Sequence, residues 1–450
     1  MLAGGDSRLL GSRRVAVPGP ESRGRIAVLY HLYELQSAMS APARLMAETM
    51  QQIFTHPLVP VAYTKMGRRI AATSETIERA TRRYNKPAFN LPTTVTPDGA
   101  TVAVREEIVA RRSFCNLLHF ARDTDRRDPR VLIAAPMSGH YATLLRDTVA
   151  ALLPEHDVYI TDWVNANQVP VARGAFDLDD YVDYLIGFFD RLGPGTHVIA
   201  VCQPSVPVMA AVSLMSDEDH RATPASMTLM GGPIDTRMSP TKPNKLAMTR
   251  PLAWFEKSVI HEVPPNYPGF MRRVYPGFLQ LSGFMSMNLD RHVSASTKHF
   301  DHLVQGDGEA ADKHRDFYDE YLAVMDLSAD YFLQTIRTAF QEHRLPRGLW
   351  ISRDRRVDAK AITRTALMTV EGELDDISGP GQTRAAHGLC CNLPAEMHKH
   401  FFAMGVGHYG IFNGRKWRSQ ILPEVRDFIR ANDPREAPPA PAPERELVSA

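Results

Sequence analysis

The sequence predicts an α/β fold, a mostly parallel sheet flanked by helices and interrupted by a cap insertion. Three observations carry this. From about residue 130, short apolar runs alternate with helical stretches: VLIAAPMSGH, DVYITDW, THVIAVCQ and SMTLMGGPID, then, after a long gap, ALMTVEGELDD and HKHFFAMGVGH. Short buried runs separated by helices imply βαβ units. A helical pattern, DLDDYVDYLIGFFDRLG, sits between the second and third runs, with acids where a helix N-terminus favours them. The third observation is the gap itself, from about 236 to 345. It holds Trp254, Phe255, Tyr267, Tyr275, Phe278, Phe284, Met271, Met285 and Met287, and ends in a helical run, DFYDEYLAVMDLSADYFLQTIRTAF.

The elements follow in chain order. Residues 1–27 read as a disordered leader, and apolar periodicity begins at VLYHLYELQ, so Val28 is an alternative translation start. Residues 28–235 hold N-terminal helices, over about 28–82, and the first part of the core. Within that part TVAVREEIVARRSFCNLLHFAR alternates as antiparallel strands do. Residues 236–345 form the cap, whose aromatics mostly serve its own core, and 346–432 complete the sheet. The Pro-rich tail, 433–450, reads as disordered. No internal repeat is present.

Composition narrows the function. The chain has 450 residues, 44% apolar and 23% charged, an ordinary globular profile. Lys plus Arg is 52 against 51 for Asp plus Glu, so no basic surplus draws it to nucleic acid. The four cysteines, Cys115, Cys202, Cys390 and Cys391, suit neither a disulfide framework nor a zinc knuckle, which favours a reducing cytosol. No apolar run reaches membrane-spanning length and no signal-peptide core is present. His398 and His400 alternate along a strand and His299 and His302 sit in the cap. Neither pair has the further ligands that a metal needs, so no metal and no cofactor are expected.

The chemistry starts at THVIAVCQPSVPVMAAVSLM. An apolar strand runs into Cys202, followed by Gln203, Pro204 and a run suited to a buried helix. A nucleophile at a sharp strand-to-helix turn is the elbow of the α/β-hydrolase fold, and the helix N-terminus lowers a thiol pKa from about 8.5. The flanking positions are Ala200 and Pro204, where the elbow pattern has glycine. A buried inert cysteine is the alternative.

Two later strands strengthen the elbow reading. ALMTVEGELDDISGPGQT ends in Asp375 and Asp376, and HKHFFAMGVGHYGIFNG ends in His408, between Gly407 and Tyr409. Nucleophile, acid, histidine is the chain order of this fold. The histidine takes the thiol proton and returns it to the leaving group. The acid holds its tautomer. The loop in VLIAAPMSGHYATLLRDTV supplies one oxyanion N–H, from Met137 or Ser138, and Gln203 supplies the other. His140 lines the site or caps the loop; Asp376 and Tyr409 stand beside it.

These segments, together with YPGFLQ, LMTVEGELDDISG and GHYGIF, resemble the intracellular polyhydroxyalkanoate (polyhydroxybutyrate) depolymerases of bacteria, from about Val28 to Asn432. The resemblance implies cytoplasmic hydrolysis of stored 3-hydroxyalkanoate polyester on native granules. The family's cysteine falls on Cys202, its aspartate on Asp375 with Asp376 as the fallback, and its histidine on His408. The granule polymer is the partner implied, and a homo-oligomer is compatible with it. Coenzyme A is a chemically reasonable competing acceptor, although no nucleotide motif appears. Three rivals remain: a polyhydroxyalkanoate synthase-like acyltransferase, whose elbow carries glycine beside the cysteine, a granule-coating protein with an inactive hydrolase core, and a general small-ester or dienelactone-type hydrolase with a cysteine nucleophile.

Overall fold

The computed structural model describes residues 20–435, with side chains from residue 29 onward. Most of the leader and most of the tail therefore lie outside the described residues.

The chain opens with α1 (Pro20–Met39), α2 (Ala41–Thr55) and α3 (Lys65–Thr81). Helix α1 starts inside the stretch read as a disordered leader, so 20–27 are helical. An antiparallel set follows: β1 (Thr93–Val95), β2 (Thr101–Arg111) and β3 (Cys115–Arg122). The βα alternation then runs β4 (Arg130–Ala134), α4 (Arg146–Leu152), β5 (Asp157–Trp163), α5 (Leu178–Leu192), β6 (Thr196–Val201), α6 (Ser205–Asp217) and β7 (Ser226–Met230). Every residue of β6 and β7 is buried, and α6 is buried from Ser205 to Met215, so neither shows a polar face. Helix α5 is amphipathic and opens on a capping box in which Asp177 and Asp180 exchange bonds.

The cap comprises α7 (Lys242–Thr249), α8 (Leu252–Val259), β8 (His261–Glu262), β9 (Arg273–Tyr275), α9 (Gly277–Met287), α10 (Leu289–Gln305), α11 (Gly308–Leu322), β10 (Leu327–Ser328) and α12 (Ala329–Thr335). Strands β8, β9 and β10 make a small antiparallel sheet of their own. A short hairpin, β11 (Ile351–Ser352) with β12 (Arg355–Arg356), leads back to β13 (Ala366–Gly372) and β14 (His398–Ala403).

The main sheet has the order β1-β2-β3-β5-β4-β6-β7-β13-β14. From β5 to β14 neighbouring strands are parallel, and β3 joins β5 antiparallel. This is the α/β-hydrolase arrangement with a short additional strand at one edge. Its parallel part aligns the C-terminal ends of β4, β6, β7, β13 and β14, and loops from all five can meet there.

The N-terminal helices pack against the cap. Glu75 of α3 receives both Arg315 Nε and Nη2 at 2.7 Å and faces His299 at 3.2 Å, while Arg79 pairs with Asp319 at 2.7 Å. Tyr30 of α1 donates to Asp326 at 2.6 Å, and Asp326 also accepts from Asn167 and from the Gly277 N–H. One buried carboxylate thus joins α1, the loop after β5 and the start of α9. Burial raises its pKa.

Candidate active site

Cys202 follows β6 directly and has φ +67°, a left-handed conformation that a side-chain-bearing residue rarely adopts. Its N–H donates to Met230 O at 2.7 Å, and its carbonyl accepts from Ser205 N at 3.1 Å, at the start of α6. These bonds hold the sharp turn. Pro204 stands at the N-cap of α6, where a missing N–H costs nothing. The room that elbow glycines usually provide comes partly from the next strand's loop. A Cβ on Gly232 would lie 2.1 Å from Ser205 Oγ and 3.1 Å from Cys202 O. Gly231 (φ +57°) has its own reason: a Cβ there would meet Ile411 at 2.6 Å and crowd Asp375 and His408 at 3.2 and 3.3 Å. The Gly-Gly pair in SMTLMGGPID matches no motif along the chain. Two glycines closing a buried strand were the available signal.

Asp375 and His408 lie beyond their strands rather than at the last strand residues. Strand β13 ends at Gly372, and Asp375 is in the turn after it; β14 ends at Ala403, and His408 opens a short 3-10 turn, His408–Ile411. Both are buried. Asp375 Oδ2 meets His408 Nδ1 at 2.8 Å, and Asp375 Oδ1 accepts from the N–H groups of Ile377 and Ser378 at 2.9 and 2.8 Å. Burial alone would depress the His408 pKa. Asp375 on one side and the Cys202 sulfur on the other outweigh it and hold the imidazole well above its ordinary value. The structure therefore brings Cys202, His408 and Asp375 together, from three strand ends that are distant in sequence. Asp376 points away, is exposed, and accepts from Asn288 at 2.9 Å.

Two further thiols are buried. Burial pushes Cys115 well up and Cys390 to about 12, which favours the inert protonated form. Cys391 is exposed.

A cavity of about 400 Å³ opens beside Cys202 and runs under the cap. Its walls are mainly apolar, with Leu246, Phe255, Phe284, Leu327, Phe332 and Phe340 from the cap or its return. Met137, Ser138 and Gln203 all line it next to Cys202. Among the described residues no hydrogen bond within the protein occupies the N–H of Gln203, Met137 or Ser138, so the first-loop donor stays open between the last two. The loop itself is clamped by the cap. Gly139, at φ +106°, accepts from Met325 N at 2.7 Å, and His140 bridges to Val324.

His140 is not among the cavity-lining residues. It is buried, contacts Tyr321 O at 3.1 Å, packs on Phe284, and burial lowers its pKa to about 4. A neutral loop anchor accounts for it. Tyr409 also stands behind the cavity, edge-on to His408 and Tyr321. Residues that sequence reasoning missed are Tyr331 and Thr335 of α12, which line the cavity from the cap side. Their only signal was position within DYFLQT.

The C-terminal part of the chain also matches a known family model. Residues 231–433 match the one described as PHB de-polymerase C-terminus. The match spans just under half of the chain. It contains the cap, Asp375 and His408. Hydrolysis of an ester is accordingly the reaction class of this α/β-hydrolase. Among solved structures, a thermophilic esterase from Thermogutta terrifontis has 13% identity and TM-score 0.38, covering 76% of this chain and 97% of its own. The putative non-heme bromoperoxidase BpoC from Mycobacterium tuberculosis has 14% identity and TM-score 0.42, covering 74% and 96%. A putative lipase from Acinetobacter baumannii has 12% identity and TM-score 0.40, covering 73% and 93%. No curated protein sequence matches the chain. Among the described residues no helix is long and apolar enough to cross a membrane. No group of three or more His, Cys, Asp or Glu residues there is placed to hold a metal ion.

Proposed function

We propose that this protein hydrolyses the ester bonds of stored poly(3-hydroxyalkanoate), chiefly polyhydroxybutyrate, on cytoplasmic granules through an acyl-enzyme on Cys202. The observation that supports this most is the cysteine at a left-handed strand-to-helix turn, beside a buried His408–Asp375 pair and open to an apolar cavity.

In this reading polymer enters under the cap, where apolar walls exclude water. Cys202 Sγ attacks the ester carbonyl as thiolate. The carbonyl oxygen takes the negative charge and rests on the N–H of Gln203 and of Met137 or Ser138, each donor contributing roughly 3 kcal/mol to the barrier reduction. His408, kept protonated by Asp375, gives its proton to the departing alkoxide, and the polymer fragment leaves as an alcohol. The hydroxyacyl thioester remains on Cys202. Water then attacks it, losing a proton to His408; the C–S bond breaks, the hydroxy acid leaves, and the Cys202 thiolate and the protonated His408 are restored.

The test uses native amorphous polyhydroxybutyrate granules, wild-type protein and Cys202→Ala, with soluble 3-hydroxybutyrate as the readout. Release by wild type alone supports substrate and nucleophile together. Binding to granules with no release by either protein sinks the depolymerase reading and favours a coat protein. Polymer growth from hydroxyacyl-coenzyme A, with no release, favours the synthase-like alternative.

A further inference from the structure

The cavity wall has one polar patch that the mechanism leaves unused. Tyr331, Thr335 and Gln203 are each more than nine-tenths buried and all line the cavity with Cys202. Tyr331 Oη, Thr335 Oγ1 and both side-chain polar atoms of Gln203 lack a well-formed hydrogen bond, although Thr335 and Gln203 both lie within polar contact of Tyr331. A buried polar atom without a partner costs about 1–3 kcal/mol, so four such atoms in one patch point to a ligand that satisfies them. Their placement is rigid. The Tyr331 ring stacks on Tyr181, with centroids 5.8 Å apart and planes 19° apart, and Tyr181 packs on Trp163. The backbone below widens into a π-helix, Ile336–Gln341, directly after Thr335, a distortion that often accompanies functional sites.

Resting on the proposed ester hydrolysis, we propose that Tyr331, Thr335 and the Gln203 amide form a subsite for the oxygen on the 3-position of the acyl unit held by Cys202. Gln203 directly follows the nucleophile, and Tyr331 and Thr335 stand beside it in the same cavity wall. An acyl unit on Cys202 therefore carries its 3-oxygen into their reach. Two hydroxyls and an amide donate to that oxygen, and the amide carbonyl accepts from it when it is a free hydroxyl. A plain fatty acyl chain leaves all four atoms unsatisfied in an apolar cavity. The patch thus separates 3-oxygenated acyl groups from simple alkyl ones. The 3-oxygen has two sources, a chain-end hydroxyl or the ester link to the next unit.

The experiment compares activated esters of 3-hydroxybutyrate, 3-acetoxybutyrate and butyrate as substrates of wild type, Tyr331→Phe and Thr335→Val. Wild type is expected to favour one or both oxygenated esters over butyrate by about tenfold or more in kcat/KM. The free-hydroxyl arm reports chain-end recognition and the acetoxy arm recognition within the chain. In Tyr331→Phe or Thr335→Val the ratio collapses toward one. A wild-type ratio near one, or a ratio that survives in both variants, overturns the subsite while ester hydrolysis stands. Hydrolysis of none of the three esters overturns the proposed function, and the subsite with it.

Discussion

Replacing Asp375 with Asn tests the triad where the structure is most explicit. The side chain is fully buried and uses both oxygens: Oδ1 for two backbone N–H groups and Oδ2 for His408 Nδ1 at 2.8 Å. An amide can serve only one of these faces. Keeping its carbonyl on Ile377 and Ser378 preserves two hydrogen bonds and loses one, so that orientation wins. The amide N–H then points at His408 Nδ1, which must become an acceptor. The imidazole proton moves to Nε2, toward Cys202, where a base is needed. In a serine triad the same tautomer error costs about 10⁴-fold. A thiol ionises more easily than a hydroxyl, so part of that burden is lifted here. The expected loss in kcat/KM is about 10²–10⁴-fold, roughly 3–5 kcal/mol of barrier. The assay is hydrolysis of a soluble activated ester, with the alkylation rate of Cys202 against pH as a second readout of the thiolate. Asp376→Asn is the control, because Asp376 is exposed and bonded to Asn288. Activity of Asp375→Asn within about fivefold of wild type, or a larger loss from Asp376→Asn, would refute the reasoning.

Three further expectations follow from the same geometry. Gly232→Ala should cost about 1–3 kcal/mol of stability and most of the activity, because its Cβ would enter Ser205 and press on the Cys202 carbonyl; melting temperature and ester turnover check this. His408 is raised, so it stays protonated through neutral pH and is lost as an acid only when pH climbs past its elevated value. The alkaline limb of kcat/KM should therefore lie above the ordinary imidazole range, at about 6.5, and move down in Asp375→Asn; an alkaline limb at the ordinary imidazole value refutes the pairing. Glu75 is partly held up by burial, but Arg315 and then His299 outweigh this and lower it to about 2. Its stabilisation is present above the ordinary glutamate value and is lost as pH falls toward 2. Glu75→Gln should cost roughly 1–3 kcal/mol in denaturant unfolding and flatten that acid limb.

The core was legible because its signals are local. Runs such as THVIAV and SMTLM are buried throughout, and their length and spacing alone mark parallel strands. The elbow was legible too, although its glycines are missing. What a strand-to-helix turn needs is space, and at the helix end the space is provided by Gly232, distant in sequence but adjacent across β6 and β7. No window along the chain displays that substitution of one residue's room for another's. The turn positions of Asp375 and His408 were blurred by a few residues for an ordinary reason. Apolar patterning continues past the last hydrogen-bonded strand residue, as in FFAMGV, so the strand end is not marked.

The cap was harder to read because its role depends on contacts between distant segments. Sequence patterning separates the N-terminal helices from the insertion by about 150 residues, yet Tyr30, Asn167, Gly277 and Asp326 meet at one buried carboxylate. Next to Asp326, Met325 donates to Gly139 of the loop after β4, and two residues beyond it Ser328 begins the turn into α12. The same short stretch thus ties α1 to the cap, fixes the loop that carries Met137 and Ser138, and leads to Tyr331 and Thr335. A substitution at Tyr30 is therefore coupled to the loop that carries Met137 and Ser138 through two hydrogen bonds on adjacent residues. Tyr30→Phe removes only the hydroxyl that donates to Asp326. It should lower kcat more than a substitution of equal destabilisation elsewhere in α1, and equal effects would show that the helix serves stability alone.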